Sequence, residues 1–230
     1  MIGIIGAMDI EVRGITEKMT DKTEETISGT VFTKGKLGKN ECVVCKCGIG
    51  KVNAAIATQT MILRYSPDEI INTGIGGGTS LKTGIGSIVI AKNVVQHDMD
   101  TTAIGDERGT LFLPEENIIY LPCDEGLIEK LSAACDSVGI KDYVVGTVAT
   151  GDRFISGNDN RIELHTSFHA LACEMEGGSI GHVCYINKVP FGILRSISDS
   201  ISSEDDGVEY STFSRSAAEK AVSIISALLC

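Results

Sequence analysis

Short, mostly apolar runs alternate with amphipathic stretches along the whole chain. Strands buried on both faces are predicted at residues 1–7, 41–47, 69–72, 86–95, 143–150 and 190–196. Helical spacing of apolar positions predicts helices over residues 9–19, 52–64, 125–138, 179–187 and 210–229. This alternation indicates an α/β fold, with a parallel or mixed sheet and helices on both of its faces.

Three segments interrupt the alternation. Residues 20–40 are polar and glycine-punctuated, which predicts antiparallel strands, and residues 202–207 form an acidic loop. Residues 101–122 show little periodicity and predict a long loop of functional or interface character. Because no repeat or composition break divides the sequence, residues 1–230 are predicted to form a single domain.

Acidic and glycine-rich positions follow several of the predicted strands. In α/β sheets, ligands bind at the carboxyl ends of the strands. The positions expected to meet there are Glu11, the glycine-rich segment 73–79, Phe154, Glu176 and Asp199. The segment 73–79 (TGIGGGT) is predicted to form a loop after the strand at 69–72. It completes neither the GxGxxG pattern nor the P-loop pattern, so it is a weak signal for a nucleotide phosphate.

Two carboxylates lie close together in the sequence CEMEGG. Glu174 and Glu176 are two residues apart, so on a strand both point to the same face and can line one cleft. Three carboxylates are expected at strand ends, those of Glu11, Glu176 and Asp199, and such a set suits cleavage of a glycosidic bond because its transition state carries positive charge. The residues alone leave two alternatives open: a Mg²⁺ site built from the same acids, and acids that cap helices or pair with Arg153 and Arg195.

The composition narrows the range of partners. A net charge of −11 opposes binding to nucleic acids or to anionic membranes, which both require a basic surface. No apolar run approaches the ~18 residues of a membrane span, and residues 1–7 do not resemble a signal peptide. We therefore expect a cytoplasmic protein that acts on small molecules.

The sequence contains eight cysteines, a residue type that commonly binds zinc. Only Cys42 and Cys45, next to Cys47, have the spacing of a zinc knuckle, and no second pair follows. His165 and His169 lie four residues apart without a third ligand nearby. We therefore expect buried thiols in a reducing compartment, and no metal.

A set of short motifs occurs in a fixed order along the chain. They are GIIGAM at residues 3–8 followed by Glu11, GIGKV at 48–52, INTG at 71–74, GDRFI at 151–155, EME at 174–176 and RSISD at 195–199. Together they resemble the motifs of the 5′-methylthioadenosine/S-adenosylhomocysteine nucleosidase family, within the nucleoside phosphorylase superfamily. The resemblance implies a three-layer α/β/α sandwich, no cofactor, and a homodimer in which the partner's loop near residues 101–109 helps to close the site.

The resemblance also implies a reaction, the hydrolysis of the N9–C1′ bond of a 5′-thioadenosine nucleoside to adenine and a 5-thioribose. Glu11, assisted by Arg195, would activate water, and Asp199 would protonate N7 of adenine. Such an acid must hold its proton near pH 7, which burial favours. Glu176 would bind the ribose hydroxyls, and Glu174 would have only a structural role. The other substrate contacts that the resemblance implies are Met8, Ile49, Ile75, Gly76, Phe154, Ile155, Met175 and Tyr210.

Two departures from the family pattern bear on activity. Ile75 stands where the family has a serine that helps to hold the water and the sugar, and Ile104 and Asp106 stand where aromatic residues are common. Three functions stay open: hydrolysis, phosphorolysis with Arg13 and Arg195 binding phosphate, and nucleoside binding without turnover. The choice among methylthioadenosine, S-adenosylhomocysteine and 5′-deoxyadenosine is open as well.

Overall fold

Strands and helices alternate along the computed structural model, which describes residues 1–201 and 206–229. Within these ranges the strands are β1 (Ile2–Gly6), β2 (Thr20–Ile27), β3 (Thr30–Leu37), β4 (Asn40–Lys46), β5 (Glu69–Gly78), β6 (Ile88–Gln96), β7 (Leu111–Phe112), β8 (Asn117–Ile118), β9 (Leu121–Pro122), β10 (Tyr143–Thr150), β11 (Ala170–Glu174) and β12 (Phe191–Asp199). The helices are α1 (Asp9–Thr16), α2 (Lys51–Tyr65), α3 (Glu125–Ser137), α4 (Asn158–Phe168), α5 (Gly177–Asn187) and α6 (Asp206–Leu229), with a short 3₁₀ helix at Thr102–Ile104. Of the predicted acidic loop, residues 202–205 lie outside the described residues.

The central sheet has the strand order β11, β10, β6, β12, β5, β1, β4, β3, β2, and β9 pairs with β6. Strands β4, β1, β5 and β12 pair in parallel, whereas β2, β3 and β4 are antiparallel. β11 also pairs antiparallel with β5, where Ala172 lies opposite Gly78, so that β5, β12, β6, β10 and β11 close into a ring. The predicted mixed sheet is confirmed, and the ring brings the ends of β5, β11 and β12 together.

Helices cover both faces of the sheet. The contacts of α1, α3 and α6 with one face include Val12, Ile15, Leu127, Leu131, Ala221 and Ile225. The contacts of α2 and α5 with the other face include Ala54, Ala57, Met61, Ile180 and Cys184. Burying a large aliphatic side chain stabilises the fold by roughly 1.5–3 kcal/mol, so these contacts fix the predicted three-layer α/β/α arrangement. Within the described ranges, no helix is long and apolar enough to span a membrane.

The clustered cysteines are divided between the two faces. Cys42 packs in the core beside α1 and α6, and Cys45 and Cys47 pack in the core on the opposite side, because strand residues three apart point to opposite faces. Cys42 and Cys45 therefore do not converge on one ion. Burial raises the pKa of Cys45 to about 12, which keeps it a thiol. Among the residues that the structure describes, no group of His, Cys, Asp or Glu side chains is placed to hold a metal ion.

Three sequence predictions about the elements are wrong. The segment 73–79, predicted as a loop, continues β5 as far as Gly78, and β12 runs on to Asp199 instead of ending at residue 196. Helix α4 was not predicted, because its sequence NDNRIELHTSF has few apolar residues. The predicted loop over 101–122 does hold little regular structure, since it contains the 3₁₀ helix and strands of two residues each.

Candidate active site

Several strands end around one cavity. The loops and strand ends that follow β1, β4, β5, β10, β11 and β12 surround this cavity. The cavity is lined by Ala7, Met8, Glu11, Ile49, Ile75, Gly76, Gly77, Arg153, Phe154, Ile155, Cys173, Glu174, Met175, Glu176, Ser198, Asp199 and Tyr210. Every catalytic and substrate-binding residue implied by the family resemblance lies in this lining, except Arg195.

Glu11 lies in the first turn of α1 and is 3% exposed. Its Oε2 accepts hydrogen bonds from the backbone N–H groups of Ala7 (2.7 Å) and Met8 (2.9 Å), and its Oε1 accepts one from Ile75 (3.0 Å). Burial raises the pKa of Glu11, although these N–H groups and the charge of Arg195 oppose the rise. A fixed carboxylate with a raised pKa is suited to take a proton from water.

Glycines on β5 make room for two of the carboxylates. A Cβ atom at Gly74 would lie 2.6 Å from Oε1 of Glu11, and one at Gly77 would lie 3.0 Å from Oδ2 of Asp199. A larger residue at either position would displace the acid. Close side-chain packing therefore accounts for the glycine-rich segment 73–79, without a bound phosphate.

Glu174 forms a buried ion pair with Arg195. Its carboxylate also accepts hydrogen bonds from the hydroxyl of Thr150 and from the backbone N–H of Gly177 (2.7 Å). Burial opposes ionisation of Glu174, but the charge of Arg195 and these hydrogen bonds outweigh it and lower its pKa. Glu174 is thus a structural anchor, as the sequence comparison with the family implied.

Arg195 lies behind the cavity and is 1% exposed. In the described part of the chain, its hydrogen bonds go to Glu174, to Asn72 and to the carbonyl of Leu194. The positive charge of Arg195 lowers the pKa of Glu11 through space. The effect of Arg195 on Glu11 is therefore electrostatic.

Glu176 occupies the N-cap position of α5, directly after β11, and is 7% exposed. Its Oε1 accepts a hydrogen bond from the backbone N–H of Gly50 (2.8 Å). Burial, reinforced by the negative charge of Glu174, raises the pKa of Glu176 to about 7. The two glutamates of the EME motif therefore differ: Arg195 neutralises Glu174, whereas Glu176 is a hydrogen-bonding group of the cavity.

Asp199 is the last residue of β12 and is 2% exposed. Its Oδ2 forms a buried ion pair with Arg161, and its Oδ1 accepts a hydrogen bond from the Ser198 hydroxyl (2.5 Å). The surroundings of Asp199 thus include a buried arginine in direct contact with it, which the sequence did not predict.

One side of the cavity is apolar. The rings of Phe154 and Tyr210 meet edge to face, with their centroids 5.6 Å apart and an interplanar angle of 84°. The Tyr210 hydroxyl donates a hydrogen bond to Sδ of Met8 (3.5 Å), and Ile75 packs in one cluster with Met8 and with Tyr210, Ala217 and Ala218 of α6. Since aromatic and thioether groups favour apolar ligands, this side suits a planar base or an alkylthio group.

The loop that carries Phe154 is tied to the start of α2. Lys51 forms an ion pair with Asp98 (2.7 Å), and its backbone N–H donates to Oδ1 of Asp152 (2.7 Å). The backbone N–H of Asp152 donates in turn to Oδ2 of Asp98 (2.9 Å). These contacts join the GIGKV motif to the GDRFI motif, and they hold Phe154 at the mouth of the cavity.

Two residues around the cavity were missed from the sequence. Cys173 lines the cavity but was grouped with the other buried thiols, and Arg161 was missed because α4 was not predicted. A usable signal for Arg161 existed. It lies three residues before Leu164 and seven before Phe168, which are both buried, so helical spacing places it on the inward face of α4.

The fold and the site together define a class of protein. The mixed sheet lies between two helical layers, and its strand ends surround a cavity lined by buried carboxylates. The family model described as the Phosphorylase superfamily matches residues 1–229. The chain is thus a member of this superfamily.

Full-length relatives identify the family more closely. A 5′-methylthioadenosine/S-adenosylhomocysteine nucleosidase from Shewanella loihica is 39% identical over 213 residues, covering 92% of this chain and 91% of that protein. The structure of such a nucleosidase from Neisseria meningitidis, in complex with methylthio-immucillin-A, has a TM-score of 0.92 and 30% identity, covering 99% of this chain and 97% of that one. A futalosine hydrolase from Helicobacter pylori has a TM-score of 0.91 and 31% identity, covering 99% and 96%. The chain belongs to the family of 5′-methylthioadenosine/S-adenosylhomocysteine nucleosidases.

Proposed function

We propose that this protein hydrolyses the N-glycosidic bond of 5′-methylthioadenosine and S-adenosylhomocysteine, and of 5′-deoxyadenosine, to adenine and the 5-substituted ribose. The observation that carries the proposal is the convergence of three buried carboxylates, Glu11, Glu176 and Asp199, on one cavity with an apolar side. Negative groups around the sugar stabilise the positive charge that develops as the glycosidic bond breaks.

Glu11 is the base in this proposal. Three backbone N–H groups fix its carboxylate, and its raised pKa strengthens it as a proton acceptor. It takes a proton from water, whose oxygen attacks C1′ of the nucleoside. The charge of Arg195 partly opposes the rise in pKa and so favours the ionised form of Glu11, which is the form that accepts a proton.

Asp199 is the acid in this proposal. It lies at the end of β12, and its carboxyl group lines the same cavity as Glu11. Delivery of a proton to N7 lets adenine leave as a neutral molecule, so that the electron pair of the N9–C1′ bond stays on an uncharged base.

The remaining residues of the lining bind the substrate. Glu176 accepts hydrogen bonds from the ribose hydroxyls, and Met175 packs under the sugar. Phe154 stacks on the adenine ring, and the backbone of Ile155 contacts the ring edge. The side chains that surround the 5′ substituent are Met8, Ile49, Ile75 and Tyr210, with Gly76 close to the sugar.

Phosphorolysis has less support. Arg13 is exposed on α1 outside the cavity lining, and Arg195 is paired with Glu174 behind it. Arg153 lines the cavity but is exposed. Glu11 and the other buried acidic side chains of the lining oppose the binding of a phosphate ion.

Adenine release from 5′-methylthioadenosine, with and without added phosphate, tests the proposal. We expect release at the same rate in phosphate-free buffer, whereas strict dependence on phosphate would show a phosphorylase. If the unmodified protein binds the nucleoside but turns over no faster than Glu11→Gln or Asp199→Asn, it is a binding protein. The same assay is repeated with S-adenosylhomocysteine, 5′-deoxyadenosine and futalosine as substrates. Futalosine is included because one of the similar structures is that of a futalosine hydrolase from Helicobacter pylori.

We also infer that the protein is a homodimer. Helix α2 exposes Val52, Ile56 and Leu63 on one side, with exposed fractions of 68%, 44% and 75%. Ile104, in the loop assigned to the partner's site, is 81% exposed. Apolar residues at this helical spacing form an exposed stripe. In the homodimer that the family resemblance implies, a second copy of the chain would cover this stripe.

Analytical sedimentation tests the inference. The Leu63→Glu variant should sediment as a monomer, whereas the Leu81→Glu variant, changed at an exposed position in another loop, should remain a dimer. A monomeric parent protein would contradict the inference.

A further inference from the structure

Arg161 is a buried positive charge that the proposed roles do not use. It lies in the first turns of α4, on the face that buries Leu164 and Phe168, and is 0% exposed. It is absent from the cavity lining, yet its Nη2 contacts the carboxylate of Asp199, which lines the cavity. The arginine therefore reaches the cavity only through Asp199.

The surroundings of the pair hold both partners in one geometry. Nη1 of Arg161 donates to the carbonyl of Gly78 (3.4 Å), which attaches the guanidinium to β5. Gly77 leaves the space that the pair occupies, since a Cβ there would lie 3.2 Å from Nη1 of Arg161 and 3.0 Å from Oδ2 of Asp199. Ser198 binds the second carboxylate oxygen, so Asp199 is fixed from two sides.

We propose that Arg161 is a positioning residue that aims Asp199 at the leaving base and stabilises the negative charge that Asp199 gains when it gives up its proton. This inference rests on the proposed function. In the step concerned, the O–H bond of Asp199 breaks, its proton forms a bond to N7, and the N9–C1′ electron pair moves into the purine. Water forms the new bond to C1′ and gives a proton to Glu11. Solvent afterwards takes the proton from Glu11 and returns one to Asp199, so that one water is consumed.

The charge of Arg161 matters most during that step. Protonated Asp199 is neutral and gains little from the arginine, whereas the carboxylate left after proton transfer gains a full ion pair in a buried setting. An interaction that strengthens towards the transition state raises kcat and leaves substrate binding nearly unchanged. If the pair only joined α4 to β12, its removal would instead lower the stability of the protein and would not selectively lower kcat at a nearly constant KM.

This inference is tested by measuring kcat and KM for adenine release from 5′-methylthioadenosine in the Arg161→Gln and Arg161→Lys variants. We expect Arg161→Gln to lower kcat about 100-fold, the lower range for a general acid, with KM changed by less than about threefold. Arg161→Lys keeps the charge without the planar fork, and we expect a loss of about tenfold. The control is Arg64→Gln, which removes an exposed arginine paired with Glu25 (3.0 Å) and should leave both constants unchanged.

Introducing the same substitutions into the Asp199→Asn variant distinguishes an action of Arg161 through Asp199 from a purely structural role of Arg161. If Arg161 acts through Asp199, neither arginine variant lowers kcat further there. If Arg161→Gln does not fold, Arg161→Lys in both backgrounds carries the test. The inference is overturned if either arginine variant, made in the otherwise unmodified protein, keeps kcat within about twofold of the unmodified value, or if it loses the same factor in both backgrounds. An unmodified protein without any adenine release would instead refute the proposed function itself.

Discussion

Replacing Glu176 by glutamine should make the protein more stable above pH 7 while impairing it as an enzyme. Glu176 is 7% exposed, lines the cavity and lies beside the ionised Glu174. A glutamine of nearly the same shape can still accept the hydrogen bond from Gly50, but it has no charge to bury. The substitution therefore isolates the cost of holding a second carboxylate in this site.

The size and sign of the effect follow from the pKa of Glu176. Burial and the charge of Glu174 raise that pKa from the usual 4.5 to about 7. Because the folded protein binds this proton more tightly than the unfolded chain, the stabilisation is complete below pH 4.5 and is lost as the pH rises through about 7. This difference in pKa corresponds to about 3 kcal/mol in the free energy of unfolding. The parent protein loses this stabilisation as the pH rises, whereas the glutamine variant, which has no proton to lose at this position, does not.

Urea unfolding of the parent and of Glu176→Gln, at a pH near 4.5 and again near 8, measures this effect. The stability of the variant relative to the parent should increase by up to about 3 kcal/mol between the two conditions. Glu41→Gln, at an exposed position on β4, is the control and should change by less than about 0.5 kcal/mol. A relative stability that stays constant with pH, or that falls at high pH, would refute the reasoning.

Three further substitutions test other parts of the site. Glu11→Gln should lower kcat for adenine release at least about 100-fold and leave nucleoside binding measurable by calorimetry; retained turnover would exclude Glu11 as the base. Glu174→Gln leaves Arg195 buried without its counter-ion and should lower the free energy of unfolding by about 3–5 kcal/mol in urea titrations; an unchanged value would contradict the anchoring role. Ile75→Ser removes the packing against α6 and should cost about 2–4 kcal/mol, while a rise in kcat would show that the isoleucine limits water positioning.

The sequence was informative wherever apolar periodicity or motif spacing reflects a local constraint. Strand β10 was predicted at its observed bounds, because its apolar run ends directly before Gly151. Glu11, Glu176 and Phe154 were predicted at one site, because the carboxyl ends of neighbouring strands meet at one edge of the sheet. The distinction between Glu174 and Glu176 came from the family motifs, since alternation along a strand treats them alike.

What the sequence did not show depends on contacts between distant segments. The glycines of β5 resembled a loop because their function is to admit Glu11 and Asp199, which come from other elements. Arg161 was overlooked for a similar reason, since its partner lies 38 residues further along the chain. Helical spacing could have placed Arg161 on the inward face of α4, but its pairing with Asp199 is visible only when α4 is packed on the sheet.

The central claim is that Glu11, Glu176 and Asp199 act together on one nucleoside. A crystal structure of the Glu11→Gln variant with 5′-methylthioadenosine bound tests it most directly. We predict that the ribose hydroxyls contact Glu176, that N7 faces Asp199 at about 2.6–3.2 Å, and that a water lies between residue 11 and C1′. A purine bound away from Asp199, or an Ile75 side chain in the place of that water, would contradict the account.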